Sequence, residues 1–244
     1  MKGRRREAAS ERRPESGIWL ALETATSVGS VAVWRDGLAL ECTFDIRGSH
    51  SERLLPAVDH ALTVTETAAE DVSAFVVGSG PGSFTGVRIA ASMAKGWTMA
   101  RRTPLFAYSS LLAVAAGTGA SGPVCAMFDA RRGQVYAACY ELSPDGPVEK
   151  LAPAAWRVAE LLGELADRAF EPVFVGEGAA AHRESIARAF NGAVVLPVHL
   201  GVPRAASLLW LRSVAPDLGR VEEPGDWEPL YARDWRVPEE QEPR

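Results

Sequence analysis

Four glycines within FVVGSGPGSFTGVRIA, from Phe75 to Ala90, are the first residues that invite a chemical reading. An apolar run, a burst of glycine and then a helix is a common order for a phosphate site, because free N–H groups at a helix start attract anions. The spacing does not fit the familiar versions. A Walker loop needs G-x-x-x-x-G-K-[S/T], yet Gly86 stands six residues after Gly80 and no Lys-Ser/Thr follows. A dinucleotide fingerprint needs G-x-G-x-x-G, and Gly78 and Gly80 lead instead to Ser83. Pro81 removes one further backbone donor. Two readings stay open. Gly82, Ser83 and Arg88 hold an anion at a capped helix start, or the glycines permit a tight strand-to-helix turn.

Two acids are the next candidates. Glu23 ends the run IWLALE and Asp129 ends VCAMFD, and a Gly-containing turn follows each. Such acids either face nucleotide phosphates or stabilise their own turns. The four histidines offer less: the i+4 position from His50 is Leu54, so no metal pair forms on that helix face. Ser51 reads as a helix cap, Glu52 as a first-turn acid and His50 as a local polar contact. His182 and His199 are isolated, and no G-x-S-x-G elbow marks a nucleophile. Cys42, Cys125 and Cys139 fit no C-x-x-C spacing and read as reduced core thiols.

These residues need a frame. Strands are predicted at Ile18–Glu23, Val28–Trp34 and Leu38–Ile46, with Asp36-Gly37 as a hairpin turn. A helix from Ser51 carries Leu54, Leu55, Val58, Ala61 and Leu62 at helical spacing. Strand Ala74–Val77, the glycine loop, a helix to about Ala100, strand Leu105–Ala107 and helix Ser109–Ala116 complete one α/β lobe. The second half echoes the first. WLALETATSVGSVAVWRDG overlays VCAMFDARRGQVYAACYELSPDG, and FVVGSG overlays FVGEG. An internal duplication follows, with two related lobes facing each other across a cleft. That plan resembles the actin-like and sugar-kinase ATPases. The boundaries are 1–16 as a disordered basic extension or a start-codon artefact, 17–117 as the first lobe, 118–214 as a smaller second lobe, and 215–244 as linker and tail. From Pro153 to Pro197 the second lobe offers helix, strand, helix and strand, and Arg204–Val214 makes the last helix.

Composition restricts the partners. The chain of 244 residues is 47% hydrophobic and 23% charged, ordinary for a soluble protein, and has no apolar run of membrane-spanning length. The arginine-rich start leads into no signal-type apolar stretch, which places the protein in the cytoplasm. Setting aside its six basic and three acidic side chains leaves 20 basic against 28 acidic, a net −8. So acidic a body is a poor stand-alone binder of nucleic acid.

The helix after the loop has almost no polar side. Residues 84–100, FTGVRIAASMAKGWTMA, carry only Arg88 and Lys95 as charges. Val87, Ala90, Ala91 and Ala94 form one face, and Ile89, Met93, Trp97 and Ala100 form another. Leaving a row of Ile- and Met-sized side chains wet forfeits roughly 1.5–3 kcal/mol each. Either the protein covers that row itself, with the 51–64 helix or the second lobe, or a partner protein does.

The segments LALETATSVGSVAV, SHSERLLPAVD, GSGPGSFTGVRIA, SSLLAVA, DARRGQVYAACY and PLYAR together resemble the TsaB (YeaZ) family, over about Ile18 to Arg233. That family works in making threonylcarbamoyladenosine beside the anticodon of tRNA. The resemblance implies an actin-like ATPase (ASKHA) type fold and a heterodimer with TsaD, the catalytic paralogue. In TsaD the strand matching Leu105–Ala107 runs into an H-x-x-x-H metal pair; here it runs into Tyr108-Ser109-Ser110-Leu111-Leu112, without histidine. The implied protein is a non-catalytic scaffold and activator with no metal and no tightly bound cofactor. Leu54, Leu55, Val58, Ile89, Met93 and Trp97 would dock TsaD, and the same surface would pair two copies when TsaD is absent. TsaE joins the complex, tRNA is met only through the partners, and ATP or ADP belongs to the assembled complex. Glu23, Gly82, Ser83, Arg88 and Asp129 are the candidate nucleotide or anion contacts. An ATP- or metal-dependent hydrolase or phosphotransferase of the same fold is the alternative.

Overall fold

The computed structural model describes residues 16–45, 50–120, 122–143 and 146–231. The basic extension up to residue 15, the side chains of His50 and Ser51, and the tail beyond Tyr231 lie outside the described residues.

Three strands open the first sheet as an antiparallel meander: β1 (Ile18–Glu23), β2 (Val28–Arg35) and β3 (Leu38–Asp45). Their turn holds Asp36 at φ 56°, a left-handed position that Asp tolerates. Helix α1 (His50–Val64) leads to β4 (Val72–Gly78), α2 (Phe84–Arg101), β5 (Leu105–Tyr108) and α3 (Ser110–Gly117). β4 lies parallel to β1, and β5 parallel to β4. Side chains alternate as the pleat requires: Trp19 and Ala21 face one side of the sheet, Leu20 and Leu22 the other.

The second half repeats the scheme with β6 (Gly122–Asp129), β7 (Gln134–Ser143) and β8 (Gly146–Arg157), then α4 (Val158–Asp167) and β9 (Val173–Val175). The sheet orders, β3-β2-β1-β4-β5 and β8-β7-β6-β9, place a meander and a parallel neighbour identically about the first strand. That geometry bears out the duplication. Three details differ from the sequence expectation. β8 runs on to Arg157, because an edge strand accommodates Pro147 and Pro153. The second helix of the lobe is split into α5 (Glu177–Ala181) and α6 (Arg183–Ala189). Its last strand is reduced to one bridge between Phe174 and Val195.

The space between the sheets is filled. Helix α7 (Ala205–Val214) packs on β1, β2 and β4, α3 packs on β6 and β7, and the two helices pack on each other. One apolar cluster therefore joins Trp19 and Val76 of the first sheet, through Leu111 and Leu208, to Ala126 and Val175 of the second. Although α7 follows the second lobe in sequence, its start is fixed to the first sheet. The Ala205 N–H donates to Ser30 Oγ (3.1 Å), the Ala206 N–H to Glu41 Oε1 (3.0 Å), and Arg204 pairs with Glu41. Farther along, the buried Arg212 guanidinium lies 4.2 Å from the Trp19 ring centroid and 4.1 Å from that of Phe106. Outer cores complete the layers, α1 and α2 on the first sheet and α4 and α6 on the second.

The stretch 215–226 is more than a linker. After α8 (Pro216–Gly219), β10 (Arg220–Val221) pairs antiparallel with β5 and closes that edge. Tyr108 Oη donates to Ala215 O (3.0 Å), anchoring the same stretch. Because α3 and α7 merge both sheets into one core, Leu209→Ala is expected to cost about 2–5 kcal/mol. Far-UV dichroism and tryptophan fluorescence should then record one coincident, lowered transition; separate melting of the two sheets would contradict a shared core.

Candidate functional site

The glycine loop is stitched shut by its own neighbours. The Ser79 N–H donates to Tyr108 O (2.8 Å), the Gly80 N–H to Ser110 Oγ (3.2 Å) and the Ser83 N–H to Ala25 O (2.7 Å). Pro81 has no N–H to offer. Ser83 caps α2 by accepting the Gly86 N–H at 3.3 Å, and Thr24 Oγ1 donates to Gly86 O at 2.8 Å. Glycine is required where the segments touch. A Cβ at Gly78 would run into the Glu23 carboxylate, and one at Gly82 into Ala25 O. The Ser79, Gly80 and Ser83 donors are thus committed inside the chain, and these contacts and the two glycine approaches make the segment a tight strand-to-helix turn.

Glu23 lies behind this turn with no exposure to solvent. Its carboxylate accepts the Ala25 N–H (2.7 Å) and the Ser110 hydroxyl (2.8 Å). Burial nevertheless outweighs those bonds and pushes its pKa from 4.5 up to about 7. It faces Gly78 of the loop and Ser110 of the helix beyond it. Asp129, at the matching end of β6, is exposed and accepts the Arg131 N–H at 2.8 Å, while its own N–H bonds Glu177. The Arg88 guanidinium stands 5.0 Å from the ring centroid of Phe84, the first residue of α2. Gly82 and Ser83 lie at the start of α2, Arg88 stands over Phe84, Glu23 is buried behind the turn, and Asp129 is exposed at the end of the other sheet.

The segment after β5 is equally committed. Ser110 links Glu23 to Gly80, and Leu111 and Leu112 are buried between the sheets. Among the described residues, no three His, Cys, Asp or Glu side chains stand together as a metal site.

The proposed docking residues divide. Leu54 (0% exposed) and Val58 (2%) belong to the core of the first lobe, so they stand behind the surface and offer nothing to a partner. The sequence grouped them with Leu55 because all three recur at helical spacing, but only Leu55, at 61%, points outward. Ile89, Met93 and Trp97 are half-buried. The small residues Ala90, Ala91 and Ala94 let α2 sit close on the sheet, which draws its larger side chains down at the flanks. Trp97 reaches Phe75, with ring centroids 5.6 Å apart. α1 packs alongside α2. The outward side of α2 keeps Phe84, Arg88, Ser92, Gly96 and Met99 exposed.

Two residues outside the candidate docking set sit beside this face. Trp227 packs on the outer core, and Tyr231 lies against Phe84. Large aromatic residues in a Pro- and acid-rich tail were the available signal.

Comparison with known proteins gives the same frame. Residues 46–221 match the family model described as TsaD, tRNA N6-adenosine threonylcarbamoyltransferase. The tRNA threonylcarbamoyladenosine biosynthesis protein TsaB of Bacillus subtilis is 35% identical over 170 residues, 68% of this chain and 74% of that protein. The chain belongs to the TsaB (YeaZ) family. TsaB of Escherichia coli is 39% identical over 131 residues, 52% of this chain and 56% of that protein, so the match spans little more than half of that relative. A crystal structure from Pseudomonas aeruginosa, an uncharacterized protein with similarity to peptidase YEAZ, superposes with a TM-score of 0.78 at 32% identity, covering 89% of this chain and 100% of that one. YeaZ from Pseudomonas aeruginosa gives 0.74 at 31% identity, covering 88% and 99%. The two-lobed architecture is that of the family, an actin-like ATPase (ASKHA) type fold.

Since burial raises the Glu23 pKa, between pH 4.5 and about 7 the folded chain holds a proton that the unfolded chain has released. The contribution of this group is therefore fully present below pH 4.5 and is lost as pH rises through about 7. The change across that window is on the order of 3 kcal/mol. Glu23→Gln should flatten this slope in denaturant titrations at several pH values; an unchanged slope would assign the pH dependence elsewhere.

Proposed function

We propose that this chain is a non-catalytic subunit of the complex that forms threonylcarbamoyladenosine next to the anticodon of tRNA, where it docks and activates the catalytic paralogue TsaD. One observation carries the reading: the loop that serves nucleotide chemistry in related folds is tied to its neighbours here, while the following helix keeps an apolar outer side. Family membership supports it, through relatives named for tRNA threonylcarbamoyladenosine biosynthesis.

The docking surface is narrower than the spacing of apolar residues suggested. Leu55 of α1 and the exposed and half-buried side chains of α2, Ile89, Met93 and Trp97 among them, form it; Leu54 and Val58 support it from beneath. A surface of this kind also pairs two copies by an isologous contact when the paralogue is absent. Activation requires that the paralogue bind this chain more tightly in its active arrangement than in its inactive one, and coupling of this type is typically about 1–3 kcal/mol. TsaE and tRNA join through the assembled complex, to which any ATP or ADP also belongs. The proposed place of work is the cytoplasm; among the described residues no helix is long and apolar enough to cross a membrane.

Ile89→Asp or Met93→Asp puts a carboxylate into the contact and should abolish co-elution with the purified paralogue while the melting curve of the variant stays cooperative. Normal co-elution of both variants would overturn docking through α2. Titration of the isolated chain with ATP and magnesium is expected to give little or no heat; tight, saturable binding would return the protein to the phosphotransferase or hydrolase class.

A further inference from the structure

Residues 222–231 follow β10 and run along α2 as a strap. The N–H groups of Asp226 and Trp227 both return to Glu223 O, at 3.1 and 3.0 Å, and coil its first half. Lys95 of α2 donates to Gly225 O and pairs with Glu228, each at 3.2 Å. Trp227 packs on the outer core, Pro229 is buried, and the Leu230 N–H donates to Ser79 O at 2.8 Å. The strap thus grips the helix and takes up a carbonyl of the glycine loop.

Its end makes a patch from distant parts of the chain. The Tyr231 and Phe84 rings lie 5.5 Å apart at 43°, and the Arg88 guanidinium stands over Phe84. Phe84 remains 59% exposed and Tyr231 43%, so the rings cover each other only in part. Arg88 pairs with no carboxylate among the described residues, on a chain whose charge beyond residue 16 is a net −8. A guanidinium with no carboxylate partner among the described residues, standing over one exposed ring that a second exposed ring touches, suits a carboxylate whose neighbouring apolar atoms lie on the aromatics. Arginine and aromatic residues also dominate the buried centres of protein interfaces.

We infer that Phe84, Arg88 and Tyr231 form a second docking contact, continuous with Ile89 on the same helix, and that it receives an acidic side chain flanked by an apolar residue on the catalytic paralogue. Lys95 and Trp227 are positioning residues that hold Tyr231 in place. This rests on the docking reading above and assigns to the strap a part that a loose tail would not have.

The test is a titration of the full-length chain with the purified paralogue at low and high salt. Tyr231→Ala and Arg88→Ala are each expected to weaken binding by about tenfold or more. Arg88→Ala should also reduce the salt dependence, since it removes the charge that the partner carboxylate meets. Both side chains are exposed, so melting temperatures should stay at the wild-type value. Wild-type affinity and salt slope in both variants would overturn the inference. Ile89→Asp in the same titration separates the two claims: if it alone loses binding, docking through α2 stands and the strap contact falls. If all three bind normally, both fall. Sedimentation of the chain alone covers the remaining occupant, because a loss confined to self-association would assign the patch to a second copy and overturn the paralogue as its partner.

Discussion

Glu23 is a carboxyl group without access to water, and three segments of chain are arranged around it. The turn after β1 gives it the Ala25 N–H, and α3 gives it the Ser110 hydroxyl. Ser110 in turn accepts the Gly80 N–H, and β4 ends in Gly78 because no side chain fits against the carboxylate. Removing a carboxyl from water is costly unless it is well bonded or neutral, and here both adjustments operate, two bonds and a raised pKa. The glycine loop, β1 and α3 are therefore fixed relative to one another by a polar knot inside an apolar surround.

That knot decides what the loop can do. An anion at the start of α2 needs outward N–H groups and a positive field. Ser79, Gly80 and Ser83 have turned their donors inward, and Arg88 has turned to Phe84. These bonds make the loop stiff. A loop held in this way sets the start of α2, and α2 with the strap presents the surface that the proposed partner meets. In the proposed role of scaffold, what this segment supplies is positioning.

Much of this was legible in the residues. Short apolar runs bounded by turn residues marked the strands, Asp36-Gly37 the hairpin, and Ser83 the start of α2. Two echoes in the same order disclosed the duplication that the matching sheet orders display. Side-chain direction was harder to read. Helical spacing placed Leu54, Leu55 and Val58 on one helix but did not say which of them the sheet would cover. The 215–231 stretch read as linker and tail because Pro and acid content outweighed its aromatic residues, whereas pairing with β5 and the anchorage of Trp227 give it fixed structure.

The sequence by itself determined the lobes, their common plan, the acids at the strand ends and the unusual apolarity of the second helix, since these depend on local pattern and residue type. Only the tertiary structure decided that Glu23 faces the glycine loop, that α7 belongs as much to the first sheet as to the second, and that Tyr231 meets Phe84. Each of those is a contact between residues far apart in the chain. Such contacts are chosen by which surfaces exclude water from each other, and that choice exists only once the sheets have packed.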